Sequence, residues 1–367
     1  MKEKVLVLMS GGVDSSLSAY LLKKANYEVI GCTLRLFLCK NQVDLPYVKK
    51  TSEKQCCSSD DINEARRTAQ QLDIKHYVVD KTKVFEKYVI ENFVSEYIKG
   101  RTPNPCVVCN VKIKFDEMLK FAKGLGCNLI ATGHYAKIEK TKKGYLLKKG
   151  IDKTKDQSYF LYGLTQKNLS HILFPVGDYK KMEIKKLAKK LKLKVADKKE
   201  SQEICFVENA DYHEFLKHRL KNTDYADIKP GKIVDISNKV LGTHEGLPFY
   251  TIGQRRGLGL AIGKPVYVIK IDVKKNEIVV GEKEELLSKE FLVENVSWTV
   301  LPPKKPEIVA DVKIRYRHKQ SKAKIYLMDN NAAKIIFEEP QMSITSGQSA
   351  VFYQKDIVLG GGIIKKT

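Results

Sequence analysis

Val5-Leu6-Val7-Leu8-Met9-Ser10-Gly11-Gly12-Val13-Asp14-Ser15-Ser16 decides the fold. The apolar run reads as a buried strand and the glycine pair as a turn. Leu17, Ala19, Tyr20, Leu21 and Leu22 then mark a helix. Glycines let backbone approach an anion closely, and the N–H groups at a helix start point toward it. Ser10, Ser15 and Ser16 add hydroxyl donors. The loop is not a Walker A loop, because no Gly-Lys-Ser/Thr follows, and it lacks Gly-x-Gly-x-x-Gly spacing. An ordinary βα turn is the bland alternative.

Outward from this loop, strand and helix patterns alternate. Residues 27–34 read as a strand, and residues 35–58 as irregular, carrying Cys39, Cys56 and Cys57. Residues 59–72 have helical spacing, Ile74 to Val79 is a strand, and 83–99 is a helix with Phe85, Val89, Phe93 and Tyr97 on one face. A further helix follows Ile113, and Leu129-Ile130-Ala131 is a strand leading into Thr132-Gly133-His134-Tyr135. Such alternation predicts a parallel sheet with helices on both faces. Ligands then bind at the C-terminal strand ends, where the opening loop and Gly133 both fall.

From about residue 210 the pattern changes. Residues 209–221 suggest a short helix. Lys232–Ile236, Val266–Ile271, Ile278–Val280, Val312–Tyr316, Lys324–Leu327 and Lys334–Phe337 read as strands. We expect three units: an α/β domain over 1–208, a small linking domain over 209–285, and a C-terminal antiparallel β-barrel over 286–367.

The chain has 367 residues and a formal net charge of +23. That lopsided sign points to a polyanionic partner, since Lys and Arg displace counterions from phosphates. The pairs Lys180-Lys181, Lys185-Lys186, Lys189-Lys190 and Lys198-Lys199 can equally be solvated helix faces. No run approaches the roughly 18 apolar residues of a membrane span, and the N-terminus enters a strand at once, so we expect a cytoplasmic location. All eight cysteines lie in the first 205 residues. A disulfide framework does not suit a cytosolic chain of this size. Cys32 and Cys127, beside strands, read as small buried residues.

Arg101-Thr102-Pro103-Asn104-Pro105-Cys106-Val107-Val108-Cys109-Asn110 is the second informative stretch. Its prolines fix a loop, and Cys-x-x-Cys starts the next helix, where the macrodipole favours thiolate. Three readings stay open: a zinc site lacking two of its ligands, a dithiol redox pair, or reactive thiols or iron–sulfur ligands in a catalytic loop. Cys205 lies in Lys199-Glu200-Ser201-Gln202-Glu203-Ile204-Cys205-Phe206, as either a lone reactive thiol or a buried one. In Lys155-Asp156-Gln157-Ser158-Tyr159, Asp156 suits a helix cap. Tyr250-Thr251-Ile252-Gly253-Gln254-Arg255-Arg256-Gly257 sets two arginines among glycines. Lys313 to Lys319, read as a strand, would carry Lys313, Arg315, Arg317 and Lys319 on one face, either a cationic stripe suited to a nucleic-acid backbone or a solvated edge strand with protective lysines.

The opening loop resembles the Ser-Gly-Gly-x-Asp-Ser loop of ATP pyrophosphatases. The ordered set of stretches is similar to the tRNA-specific 2-thiouridylases over nearly the whole chain, through Gly347-Gln348-Ser349 to Leu359-Gly360-Gly361-Gly362. Its most specific pieces are Pro103-Asn104-Pro105 with Cys109-Asn110, Ala131-Thr132-Gly133-His134-Tyr135, Lys155 to Tyr159, Glu203 to Phe206 and Tyr250 to Arg255. The resemblance implies an ATP-pyrophosphatase domain, a small central domain and a C-terminal β-barrel. It implies ATP at Leu8, Met9, Ser10, Gly11, Gly12, Val13, Asp14, Ser15, Leu34 and Gly133, with Asp14 helping to hold Mg²⁺. It makes Cys109 catalytic and Cys205 the carrier of persulfide sulfur. Asn104, Pro105 and Cys106 would meet the target base, and His134, Lys155, Asp156, Gln157, Arg315, Tyr316 and Gln348 the tRNA.

Well-known members have Asp where this chain has Cys106, so the acid/base role there does not carry over directly. Three cysteines, Cys106, Cys109 and Cys205, raise a [4Fe–4S] cluster with one open iron as an expectation. The activity implied is adenylation of O2 of a wobble uridine in tRNA, then sulfur transfer to give 2-thiouridine, AMP and pyrophosphate. The sulfur would come from a cysteine desulfurase or a relay protein.

Overall fold

The computed structural model describes residues 2–37, 59–198, 204–207, 211–220 and 228–365. Cys39, Cys56, Cys57 and Lys199 to Glu203 lie outside the described residues.

The first sheet is parallel throughout. Its strands run, in spatial order, Lys75–Asp80, Glu28–Arg35, Lys4–Leu8, Leu129–Ala131 and Ile172–Leu173. The central strand is apolar because both of its faces are covered: Val5, Leu6 and Val7 are fully buried. Strand order reverses at Lys4–Leu8, with the second strand on one side and the fourth on the other. The loops leaving Leu8 and Ala131 therefore part and leave a crevice. The helices Val13–Lys24, Ser59–Gln71 and Lys181–Lys190 flank this sheet. Two longer helical rods run over Thr82–Ile98 and Pro105–Gly124. Each contains a wide-turned stretch, Glu86–Ile90 in the first and Cys109–Glu117 in the second.

The central unit is a four-stranded sheet ordered Tyr267–Asp272, Glu277–Gly281, Gly231–Val234 and Val240–His244, with one parallel pair. The C-terminal strands Leu287–Trp298, Glu307–Lys313, Ser321–Met328, Ala332–Met342, Ser349–Gln354 and Ile357–Ile364 close into an antiparallel barrel. Closure comes where Leu287–Trp298 pairs with both Ala332–Met342 and Ile357–Ile364. The interior is filled by Phe291, Val293, Val312, Ile325, Ile335, Phe337 and Phe352. Closure leaves no open edge in the barrel.

Two features depart from the sequence reading. A hairpin, Ala136–Thr141 with Gly144–Lys149, leaves the first domain and pairs with the barrel at Lys148 and Ile357. The strand expected over 312–316 ends at Lys313, and Ile314 to His318 form bends and a turn. The expected cationic stripe on one strand face is thereby corrected. Arg315 turns inward instead: its Nη2 donates to Ser343 O at 2.7 Å and to Thr345 Oγ1. Among the described residues, no helix is long and apolar enough to cross a membrane.

Candidate functional site

The opening loop occupies the crevice. Leu8 and Met9 are buried, and Met9 N donates to Cys32 O at 2.7 Å, continuing the strand register. Gly11 has φ +70°, and a Cβ there would run into Asp61 O, so the turn admits only glycine. Ser15 Oγ ties the loop to itself, accepting from Ser10 N at 3.1 Å and donating to Gly12 O at 3.1 Å. Gly12 precedes the helix Val13–Lys24. Ser16 Oγ, in its first turn, is buried without a hydrogen-bond partner among the described residues. Gly133 forms the other lip; a Cβ there would lie 2.7 Å from Ser15 N. Leu34 is buried in the neighbouring strand. The loop thus has the form of an anion cradle, with an unused hydroxyl at a helix start.

Asp14 is held by side chains from elsewhere in the first domain. Lys181 Nζ donates to both of its carboxylate oxygens at 2.7 Å, and Tyr135 OH donates to Oδ1 at 2.7 Å. Both carboxylate oxygens are thereby engaged within the protein. Lys198 Nζ braces the loop from the other side, donating to Gly11 O at 3.0 Å and to Asp61 Oδ1. Charge pattern alone left Lys181 and Lys198 open between a polyanion-binding surface and solvated helix faces. Lys181 is only 6% exposed, and nothing in the one-dimensional pattern marked it.

The cysteine loop is held by the barrel. Thr102 N donates to Ser346 O at 2.8 Å, and Gln348 Nε2 donates to Thr102 O at 2.9 Å and Pro103 O at 3.2 Å. Arg101 bridges Glu96 and Glu294, each at 2.8 Å. Asn104 is the N-cap residue and Pro105 the first helical residue, where its missing N–H costs nothing. Cys106 is exposed in that first turn, and Cys109 is buried at the start of the wide-turned stretch. Such stretches recur at functional sites. Asn110 Nδ2 donates to Phe160 O at 3.0 Å, and Phe115 packs at 6.3 Å from the His134 ring at the crevice. A cavity of about 280 Å³ lies between this loop and the barrel, lined by Arg101, Asn104, Val107, Tyr162, Glu294 and Gly347.

Cys205 is half-buried in the short segment Ile204–Val207. Phe206 anchors it edge-on against Phe85 at 5.7 Å and Phe93 at 5.2 Å. The Pro105–Val108 turn packs on Glu86–Ile90 of the same helical rod. Both sulfur-bearing segments therefore hang from Thr82–Ile98. Among the described residues, no three His, Cys, Asp or Glu side chains are grouped to hold a metal ion. Cys106, Cys109 and Cys205 are thus not gathered as ligands, and the expected [4Fe–4S] arrangement does not fit them here. Cys32 and Cys127 are fully buried, and burial pushes the Cys32 thiol up to about 12.

The remaining candidates run from the crevice, at His134, to the barrel, at Tyr316. His134 Nδ1 shares a hydrogen bond with Thr132 Oγ1 at 2.7 Å. Burial first, and Lys114 second, hold its imidazole neutral, well below its ordinary range. Asp156 is buried just before Gln157, the N-cap of the turn Ser158–Leu161, and accepts from Ser158 N at 3.1 Å and from Gly150 N at 3.2 Å; burial raises its carboxyl. Gln157 Oε1 accepts from Tyr135 N at 2.9 Å. The Tyr316 ring lies 4.5 Å from that of Phe160. Lys155 is half-buried beside them in the preceding turn.

Fold and site together define a nucleotide-binding α/β protein with two appended β units, its glycine loop at the switch point of a parallel sheet. Family models match consecutively: the tRNA methyl transferase HUP domain over 3–209, its PRC-barrel domain over 213–282, and the aminomethyltransferase β-barrel domain over 288–364. A tRNA-specific 2-thiouridylase MnmA 2 of Thermoanaerobacter sp. strain X514 is 49% identical, covering 100% of this chain and 99% of that one. Similar proteins named tRNA-specific 2-thiouridylase MnmA occur in Halothermothrix orenii, 47% identical over 99% of both chains, and in Clostridioides difficile, 45% identical over 100% and 99%. The chain belongs to the tRNA-specific 2-thiouridylase family.

Proposed function

We propose that the chain is an ATP-dependent tRNA 2-thiouridylase acting on the wobble uridine of tRNAs of the Lys, Glu and Gln type. One observation carries the reading. The helix bearing Cys109 reaches the phosphate crevice through Phe115 and His134, while its start packs on the rod that holds Phe206 beside Cys205. Activation and sulfur chemistry thus share one neighbourhood. The names of the full-length relatives and the net charge of +23 support a tRNA substrate.

The chemistry follows from the weakness of a pyrimidine carbonyl as an electrophile. Backbone N–H groups of Gly11 to Ser15, with Ser16 Oγ, hold the ATP phosphates at the helix start. The uridine leaves its stack and enters beside Asn104, Pro105 and Cys106. Its O2 attacks the α-phosphorus and pyrophosphate leaves. Cys205 carries persulfide sulfur delivered by a cysteine desulfurase or relay protein. Cys109 thiolate attacks the Cys205 sulfur, the terminal sulfur leaves as hydrosulfide, and a Cys109–Cys205 disulfide forms. Hydrosulfide adds at C2, its proton is lost, and AMP departs with the C–O bonding pair. An external thiol then reduces the disulfide. His134, Lys155, Asp156, Gln157, Arg315, Tyr316 and Gln348 shape the tRNA seam; Asp156 and Gln348 act through the backbone they hold.

The test is thiolation of unmodified tRNA by persulfide-loaded protein and ATP. Cys109→Ala and Cys205→Ala abolish 2-thiouridine while tRNA binding persists. Undiminished thiolation in both variants overturns the assignment.

A further inference from the structure

Asp14 sits in the first turn of the helix that receives the phosphates, where a bare carboxylate would repel a triphosphate. It is instead held by Lys181, from the first turn of the helix Lys181–Lys190, with both Nζ–O distances at 2.7 Å. Tyr135, from the opposite lip of the crevice, donates to the same carboxylate, and Lys181 Nζ lies 5.7 Å from the Tyr135 ring centroid. Lys181 is itself fixed at its backbone, its N–H donating to Asp152 Oδ2 at 2.9 Å. A second lysine, Lys198, repeats the arrangement at Gly11 and Asp61. The loop is thus braced on both sides by ammonium groups that arrive from far along the chain.

We propose that Lys181 is a positioning residue for ATP: it neutralises Asp14, so that the triphosphate can occupy the helix start with no metal ion on that carboxylate. The proposal rests on the reading of the crevice as an ATP site. Lys181 acts on the phosphates through Asp14, so its loss falls on the triphosphate and spares a nucleotide with one phosphate. Its effect also depends on the charge of Asp14, which separates it from a merely structural lysine.

Calorimetric titration of the full chain with ATP and with AMP, at several magnesium concentrations and without tRNA, tests this. Lys181→Met weakens ATP by about tenfold, equivalent to about 1.4 kcal/mol, and leaves AMP within about twofold. The double variant Lys181→Met/Asp14→Asn regains most of the ATP affinity, because no uncompensated carboxylate remains. Lys181→Arg stays near the parent, and thermal denaturation verifies that each variant is folded. Equal loss of ATP and AMP in Lys181→Met, or a double variant as weak as the single one, overturns the proposal. So does Asp14→Asn alone weakening ATP in proportion to magnesium, which makes Asp14 a metal ligand. A parent chain that binds no ATP overturns the ATP reading itself, a result distinct from all of these.

Discussion

The glycine loop and the cysteine loop of this protein are built in opposite ways. The glycine loop, Met9 to Ser16, is held within the first domain: by its own serines, by the neighbouring strand, and by Lys181 and Lys198. The cysteine loop, Arg101 to Cys109, is held from outside, by Glu294, Ser346, Gly347 and Gln348 of the barrel. Thr102 Oγ1 adds a bond of 3.2 Å to Thr251 of the central unit. The proposed ATP site therefore rests on one domain, whereas the geometry around Cys106 and Cys109 draws on all three.

The sharpest way to break this comparison is at Gly347. Its φ is +89°, and a Cβ would stand 2.8 Å from both Thr102 N and Thr102 O. Gly347→Val is expected to cost about 3–4 kcal/mol through strain and displaced backbone, abolishing thiolation while ATP affinity stays near that of the parent. An equal loss of ATP binding would mean that the two loops are not independent.

Arg101→Met comes next. It leaves Glu96 and Glu294 facing each other without their shared guanidinium, at a cost of about 2–3 kcal/mol in urea unfolding. Thiolation falls more than ATP binding.

His134 gives a pH-dependent test on the crevice side. Its folded imidazole resists protonation, while the unfolded one takes a proton below 6.5. Acid therefore favours the unfolded state, by at most about 1.4 kcal/mol per pH unit from this group. His134→Asn flattens the loss of stability between pH 7 and pH 5 in denaturant titrations; an unchanged slope would place the proton uptake elsewhere.

The smallest effect belongs to Gln348→Ala. It removes the two bonds to Thr102 and Pro103, lowers stability by about 1 kcal/mol, and lowers the thiolation rate without changing the ATP dissociation constant.

Much of the first domain was legible because its signals are local. Apolar runs of strand length, helical spacing at Ala65 and Ala69, and the glycine pair each report on a few adjacent residues. Structure found them at Lys4–Leu8, Ser59–Gln71 and Gly11. The stretch Lys313 to Lys319 misled because alternation of basic residues mimics a strand. The chain turns there because Arg315 gains inward bonds to Ser343 and Thr345 that no pattern along the chain displays. The hairpin Ala136–Lys149 was missed for a related reason. It is continuous with the first domain in sequence, yet its pairing partner is Ile357.

By itself, then, the sequence determined the parallel sheet, the position of the glycine loop at its switch point, the proline that starts the Cys106–Cys109 helix, and the β character of the last third. Those are properties of period, turn chemistry and backbone freedom, carried by neighbours in the chain. Tertiary structure alone decided that Lys181 closes on Asp14 across 167 residues, that Gln348 reaches Thr102 across 246, and that Phe206 hangs Cys205 from the rod beneath Cys109. Such contacts are chosen by which buried charges and polar groups must find partners once the layers have packed, and no local pattern encodes that choice.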